Sequence, residues 1–107
     1  MKLIWLEDAI IDLDEIYDYY VTLNPRTAVA LYNNILDEAE ILRTHPRIAP
    51  REPLLDDIGS EFRSLLVADG KYKLTYNIEE DTVVILLVFS CRRNPAMLRI
   101  KTLQRIK

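Results

Sequence analysis

The stretch TVVILLVFSCRRNP (residues 82–95) runs eight β-formers without a charge or an alternating polar position, and then ends in two arginines, Arg92 and Arg93. A strand with one face in water alternates apolar and polar residues, whereas a strand buried on both faces does not. This segment is therefore expected at the centre of a sheet, holding its arginines out at one end. The segment before it, KYKLTYNI (71–78), behaves differently. Tyr72, Leu74, Tyr76 and Ile78 fall on one face and Lys71, Lys73, Thr75 and Asn77 on the other, so one face is expected in the core and the other outside it. EFRSLLV (61–67) completes an antiparallel meander, with ADG and EED as its turns. Two registers fit the first turn. A three-residue loop with Gly70 left-handed groups Phe62 and Leu66 with the tyrosines and leaves Arg63 beside Lys73 on the polar face. A two-residue turn buries Arg63, which is costly without a partner, so the longer loop is the expected one.

The first part of the chain reads as a strand and two helices. KLIWL (2–6) is short and rich in β-formers, and Glu7 and Asp8 after it suit the first turn of a helix. Ala9, Leu13, Ile16, Tyr17 and Tyr20 then recur at helical spacing to about Thr22, with Asp12, Asp14, Glu15 and Asp18 filling much of the rest. The acidic face so formed is expected to be solvated, or to attract a basic segment of a partner. Asn24 is placed to cap a second helix and Pro25 to open it. Ala28, Leu31, Tyr32, Ile35, Ala39 and Leu42 carry that helix to about Thr44, before Pro46. So short a link makes an antiparallel αα-hairpin. At about 20 residues the second helix is roughly 30 Å long, enough to cross one face of a small sheet.

HPRIAPREPLLDDIGS (45–60), with three prolines, is expected as an ordered loop that packs Ile48, Leu54 and Leu55 on the core. NPAMLRIKTLQRIK (94–107) suits a short terminal helix capped by Asn94, with Leu98, Ile100, Leu103 and Ile106 as partly buried contacts. The expected fold is α+β in a single domain, residues 1–107: an N-terminal strand, an αα-hairpin packed on one face of a small, mainly antiparallel sheet, and a C-terminal helix. The hairpin covers one face only. The loop and the terminal helix must cover the other, or an apolar groove is left for another protein.

Composition bounds the function classes. Half of the residues are apolar and 29% are charged, as in an ordinary globular protein. At 107 residues the chain can bury about two-thirds of the surface its unfolded form exposes, so no disulfide or metal is needed. The single cysteine, Cys91, cannot form an internal bridge or a metal site, and is expected as a small buried residue in a reducing cytoplasm. No apolar run is long enough for a signal peptide or a membrane span, and no cofactor is expected. The net charge of −3 hides an asymmetry: residues 1–42 carry −7 and residues 43–107 carry +4. From Ser90 onward there are six basic residues and no acid, which suits either an anionic partner or a solvated helix end. His45 is expected at a helix terminus, and Tyr76 as a packed, hydrogen-bonded core residue. Tyr17, Tyr19, Tyr20 and Tyr32, at helical spacing, are expected mostly as packing residues, with Tyr19 the one that could instead face a partner.

The order strand, αα-hairpin, proline-bearing loop and three-strand meander resembles the RelE/ParE superfamily of toxins from type II toxin–antitoxin systems. The resemblance is carried by WLEDAIIDLDEIYDYY (5–20), NPRTA (24–28), LRTHPRIAPR (42–51), EFRSLLV, YKLTYNIEEDTVVILLVF (72–89) and RRNP (92–95). It implies a bacterial growth-inhibiting toxin, of a kind associated with plasmid stabilisation, that forms a hetero-oligomer with a cognate antitoxin. Two activities are implied: ParE-like poisoning of DNA gyrase, and RelE-like ribosome-dependent cleavage of mRNA. A non-toxic binding member is a third reading. For the RelE-like activity the resemblance assigns catalytic roles to Arg63, Lys73 and Arg93, as cations around a developing phosphate charge. Two matches fail, because Leu65 stands where a lysine is expected and Leu98 and Arg99 occupy the place of a tyrosine. The ParE-like reading is preferred on the long hairpin and on this incomplete set.

Overall fold

The computed structural model describes residues 1–106. The chain runs β1 (Lys2–Trp5), α1 (Glu7–Val21), α2 (Pro25–Ala39), a 3-10 turn (Glu40–Arg43), a 3-10 segment (Pro53–Ile58), β2 (Glu61–Val67), β3 (Tyr72–Glu79), β4 (Thr82–Ser90) and α3 (Ala96–Arg105). The sheet order is β1-β4-β3-β2. β1 lies parallel to β4, and the other pairings are antiparallel. The uniformly apolar strand is thus an inner one, as its lack of alternation requires.

Local chemistry accounts for the element boundaries. The Asn24 side chain accepts hydrogen bonds from the Arg26 and Thr27 amides at 3.1 and 3.3 Å, and Pro25 occupies the first turn of α2. The second helix tightens into its 3-10 turn four residues before Thr44. Tyr17 and Tyr32 meet edge to face across the hairpin, with ring centroids 5.9 Å apart.

The hairpin packs on one face of the sheet, over Tyr72, Leu74, Tyr76, Val83, Ile85 and Val88. On the other face Leu55, Phe62, Leu86, Leu87, Phe89 and Leu98 form a second cluster. The loop and the terminal helix therefore do cover the second face. A bulge in β4 makes this two-sided burial regular. Thr75 pairs with Leu87 and Tyr76 with Ile85, which leaves Leu86 as the extra residue. Without it Leu86 and Leu87 would point to opposite faces; with it both join the second cluster. Leu98 anchors α3 there with 1% exposure, a burial that contributes about 1.5–3 kcal/mol.

Several expectations are corrected. Val67 pairs with Tyr72 and Arg63 with Tyr76, the register of the shorter turn, so Arg63 lies on the helix-facing side and not beside Lys73. Ala68, Asp69 and Gly70 take φ of 52°, 56° and 79°, and the Lys71 amide donates to the Ala68 carbonyl at 3.1 Å. The penalty that argued against this register is met by partners: the Arg63 guanidinium donates to the Ala49 carbonyl at 2.7 Å and to Glu61 at 2.8 Å. The polar face of β3 is also less open than its pattern suggests, since Thr75 and Asn77 are buried, Thr75 against the Ser64 hydroxyl at 3.0 Å. Ile48, Ile100 and Leu103 are exposed, and Thr102 is buried in their stead, its hydroxyl donating to the Leu98 carbonyl. Cys91 is exposed in the turn after β4.

Candidate functional site

The three cations assigned by resemblance do not assemble. Arg63 faces the hairpin beside Tyr76, whose hydroxyl donates to the Pro46 carbonyl at 2.6 Å and whose pKa burial pushes up. Arg63 and Arg47 converge on Glu61, and the hydrogen bonds, that from Arg47 first, hold the Glu61 carboxyl below its ordinary range. Lys73 lies three pairs along the ladder, opposite Leu66, on the other face of the sheet. Its ammonium donates to Glu52 at 3.3 Å, and that carboxylate, 2% exposed, also accepts from the Ser64 hydroxyl at 2.8 Å and the Leu54 amide. Arg93 lies beyond the end of β4 and lines a separate cavity with residues of α1. The cluster around Glu52 joins the 45–60 loop to β2 and β3. Its function in the fold is plain: the Glu52 and Ser64 amides bond the Phe62 and Pro50 carbonyls and so cover part of the β2 edge.

A different arrangement lies at the far end of β4. β1 pairs with β4 only from Thr82 to Ile85, so the rest of that strand edge has no neighbouring strand. Side chains cap it. Asp12 of α1 accepts from the Val88 amide at 3.0 Å, and Arg105 of α3 donates to the Leu86 carbonyl at 2.9 Å. The two side chains also pair with each other through two bonds of 2.6 and 2.9 Å. The hydrogen bond and charge of Asp12 raise the pKa of Arg105, so it stays protonated. Asp12 occupies the buried stripe of α1 between Ala9 and Leu13 and is no part of a solvated acidic face. Its spacing from Ala9 and Ile16 was the available signal.

Past this cap, α1, α3 and the end of β4 enclose a cleft. One cavity of about 460 Å³ is lined by Glu15, Tyr19, Tyr72, Ser90, Arg93 and Lys101, among others. A second, of about 180 Å³, adds Lys71 and Arg92. Tyr19 and Tyr20 stand edge to face at 5.1 Å, and Tyr19 is 65% exposed. Burial, with neighbouring Tyr20, pushes the Tyr72 hydroxyl up to about 12. Among the described residues no group of acidic, histidine and cysteine side chains is placed to hold a metal ion. His45 bonds the adjacent Thr44 hydroxyl at 2.9 Å at the end of the α2 extension. No helix among the described residues is long and apolar enough to cross a membrane.

Comparison with curated proteins returns no match. A solved structure, the chromosomal ParDE TA system from P. aeruginosa, contains a chain that matches at 25% identity with a TM-score of 0.70. The match covers 84% of this chain and 95% of that one. The profile described as ParE toxin of type II toxin-antitoxin system, parDE, matches residues 3–95, from the first strand through the end of the meander. A match of that extent, on a fold whose parts follow the same order, makes this chain a member of the ParE toxin family.

Proposed function

We propose that this toxin inhibits bacterial growth by binding DNA gyrase in the cytoplasm, and that a cognate antitoxin neutralises it in a hetero-oligomeric complex. Membership of the ParE family supports the first half, and the match to a structure titled as a ParDE toxin–antitoxin system supports the second. The observation that carries the choice against RNA cleavage is the placement of Arg63 and Lys73. They lie on opposite faces of the sheet, and each is already ion-paired with a carboxylate. Electrostatic catalysis at a phosphate needs cations fixed around one point and free to meet the growing charge. Arg93 alone does not supply that.

The test is a comparison of two assays on the purified, antitoxin-free protein. Gyrase supercoiling is expected to be inhibited, while message in a reconstituted translation reaction stays intact. New 5′ ends at codon positions on translating message, with supercoiling unaffected, would overturn the gyrase reading in favour of the RelE-like one. Co-expression with a cognate antitoxin is expected to restore growth.

A further inference from the structure

The edges of this sheet are not treated alike. The 45–60 loop bonds along part of β2, and Asp12 and Arg105 cap β4 beyond Ile85. β1 has no such cover. The Lys2 amide donates to the Asp81 carbonyl and the Leu6 amide to the Ile85 carbonyl, so Lys2, Ile4 and Leu6 turn their peptide groups toward β4. Leu3 and Trp5 therefore turn theirs outward, and among the described residues no hydrogen bond reaches them.

Open edges are usually blunted by proline, a bulge or an inward charge, and the stretch from Leu3 to Trp5 has none of these. Its surroundings are apolar on both faces of the sheet. Away from the hairpin, Ile4 is 49% exposed and shares a cavity of about 670 Å³ with Thr82, Val84, Glu79 and Glu80. On the hairpin side lie the half-buried Leu3 and Trp5, with the exposed Ile41 in the 3-10 turn that packs beside β1.

We propose that β1 pairs antiparallel with β1 of a second copy of this chain, about a two-fold axis at Ile4, so that the two sheets become one. The occupant follows from self-complementarity. This register sets Leu3 opposite Trp5 of the other copy, and opposed residues whose peptide groups face each other exchange both of their hydrogen bonds. Every outward peptide group of the two residues is then paired. A register shifted by one residue would instead set Leu3 against Ile4, whose peptide groups β4 already holds. Ile4 meets its own counterpart on the face away from the hairpin. Lys2 comes beside Glu7 at the start of the other copy's α1, and among the described residues neither has an ion pair within its own chain. Self-pairing of this kind is independent of the gyrase and antitoxin readings, since neither draws on β1.

The experiment uses the purified, full-length, antitoxin-free protein. Sedimentation is expected to show reversible dimerisation between about 10 μM and 1 mM, the range of a small interface. Hydrogen exchange at the Leu3 and Trp5 amides should slow by about ten-fold over the same concentrations. Ile4→Cys in a Cys91→Ser background should cross-link under mild oxidation, because facing residues of this type lie about 4.5 Å apart at Cα, within the span of a disulfide. Ile11→Cys, at a position on α1 that is 46% exposed, should not. Lys2→Glu should weaken association by roughly ten-fold, and adding Glu7→Lys should restore it. These substitutions fall on exposed positions, so circular dichroism should match the parent. A monomer at 1 mM, equal cross-linking at positions 4 and 11, association indifferent to Lys2→Glu, or exchange that slows at Ser90 but not at Leu3 and Trp5 would each overturn the proposal.

Discussion

Arg105 and Asp12, 93 positions apart in the chain, close a two-bond ion pair over the unpaired edge of β4, and each also bonds a backbone group of that strand. Their side chains are 14% and 9% exposed, so each would leave a charge largely shielded from water if the other were removed. Asp12→Ala or Arg105→Ala is expected to lower stability by about 3–5 kcal/mol, because a buried charge and a strand amide or carbonyl lose their partners together. The double variant should cost far less than the sum. Urea unfolding of the four proteins measures this, and additive losses would show that the pair does not act as a unit.

Arg63 and Arg93 should separate stability from function. Arg63 ties the 45–60 loop to β2 through the Ala49 carbonyl and Glu61, so Arg63→Ala is expected to destabilise by about 1–3 kcal/mol. Arg93 makes no ion pair among the described residues and lines the cleft, so Arg93→Ala should stay within about 0.5 kcal/mol of the parent. Denaturant midpoints of the two variants check both; an equal loss in each would refute the distinction.

Tyr76 is fully buried and donates its hydroxyl to the Pro46 carbonyl at 2.6 Å. Tyr76→Phe keeps the ring and leaves that carbonyl without its donor, which should cost about 1–2 kcal/mol. Because the bond fixes the start of the loop, exchange protection of loop amides such as Ile48 should fall as well. Unchanged protection with unchanged stability would mean that the bond is not held in solution.

The acid limb of stability should carry the signature of Glu61. Its folded-state pKa lies below the ordinary glutamate value of 4.5, chiefly through the hydrogen bond from Arg47. The unfolded chain then binds the proton more readily, so this contribution is present above pH 4.5 and is lost as the pH falls through the folded value. Glu61→Gln should be less stable than the parent at neutral pH, with the gap closing on acidification. Unfolding midpoints stepped across the acid range test the sign, and parallel curves would remove Glu61 from the account.

The cap of α2 offers a local control. Asn24→Ala removes the acceptor for the Arg26 and Thr27 amides and should cost about 1 kcal/mol, with helix content otherwise intact by circular dichroism. A loss several times larger would mean that Asn24 holds the hairpin turn itself.

The elements of this fold were legible because each declares itself over a few neighbouring residues. The absent alternation of 82–90 placed β4 inside the sheet, Asn24 and Pro25 opened α2, and Gly70 marked the left-handed turn. What tertiary structure alone decided is where the charged residues go. Arg63 can face the core only because the Ala49 carbonyl and Glu61 reach it, and Asp12 can enter the apolar stripe of α1 only because Arg105 arrives from the far end of the chain. Local patterning prices a buried charge as if it were alone. The three basic residues assigned by resemblance were separated by the β2–β3 register, and the meeting of α1, β4 and α3 brought Lys71 and Lys101 near the arginines that the sequence already places together at the end of β4.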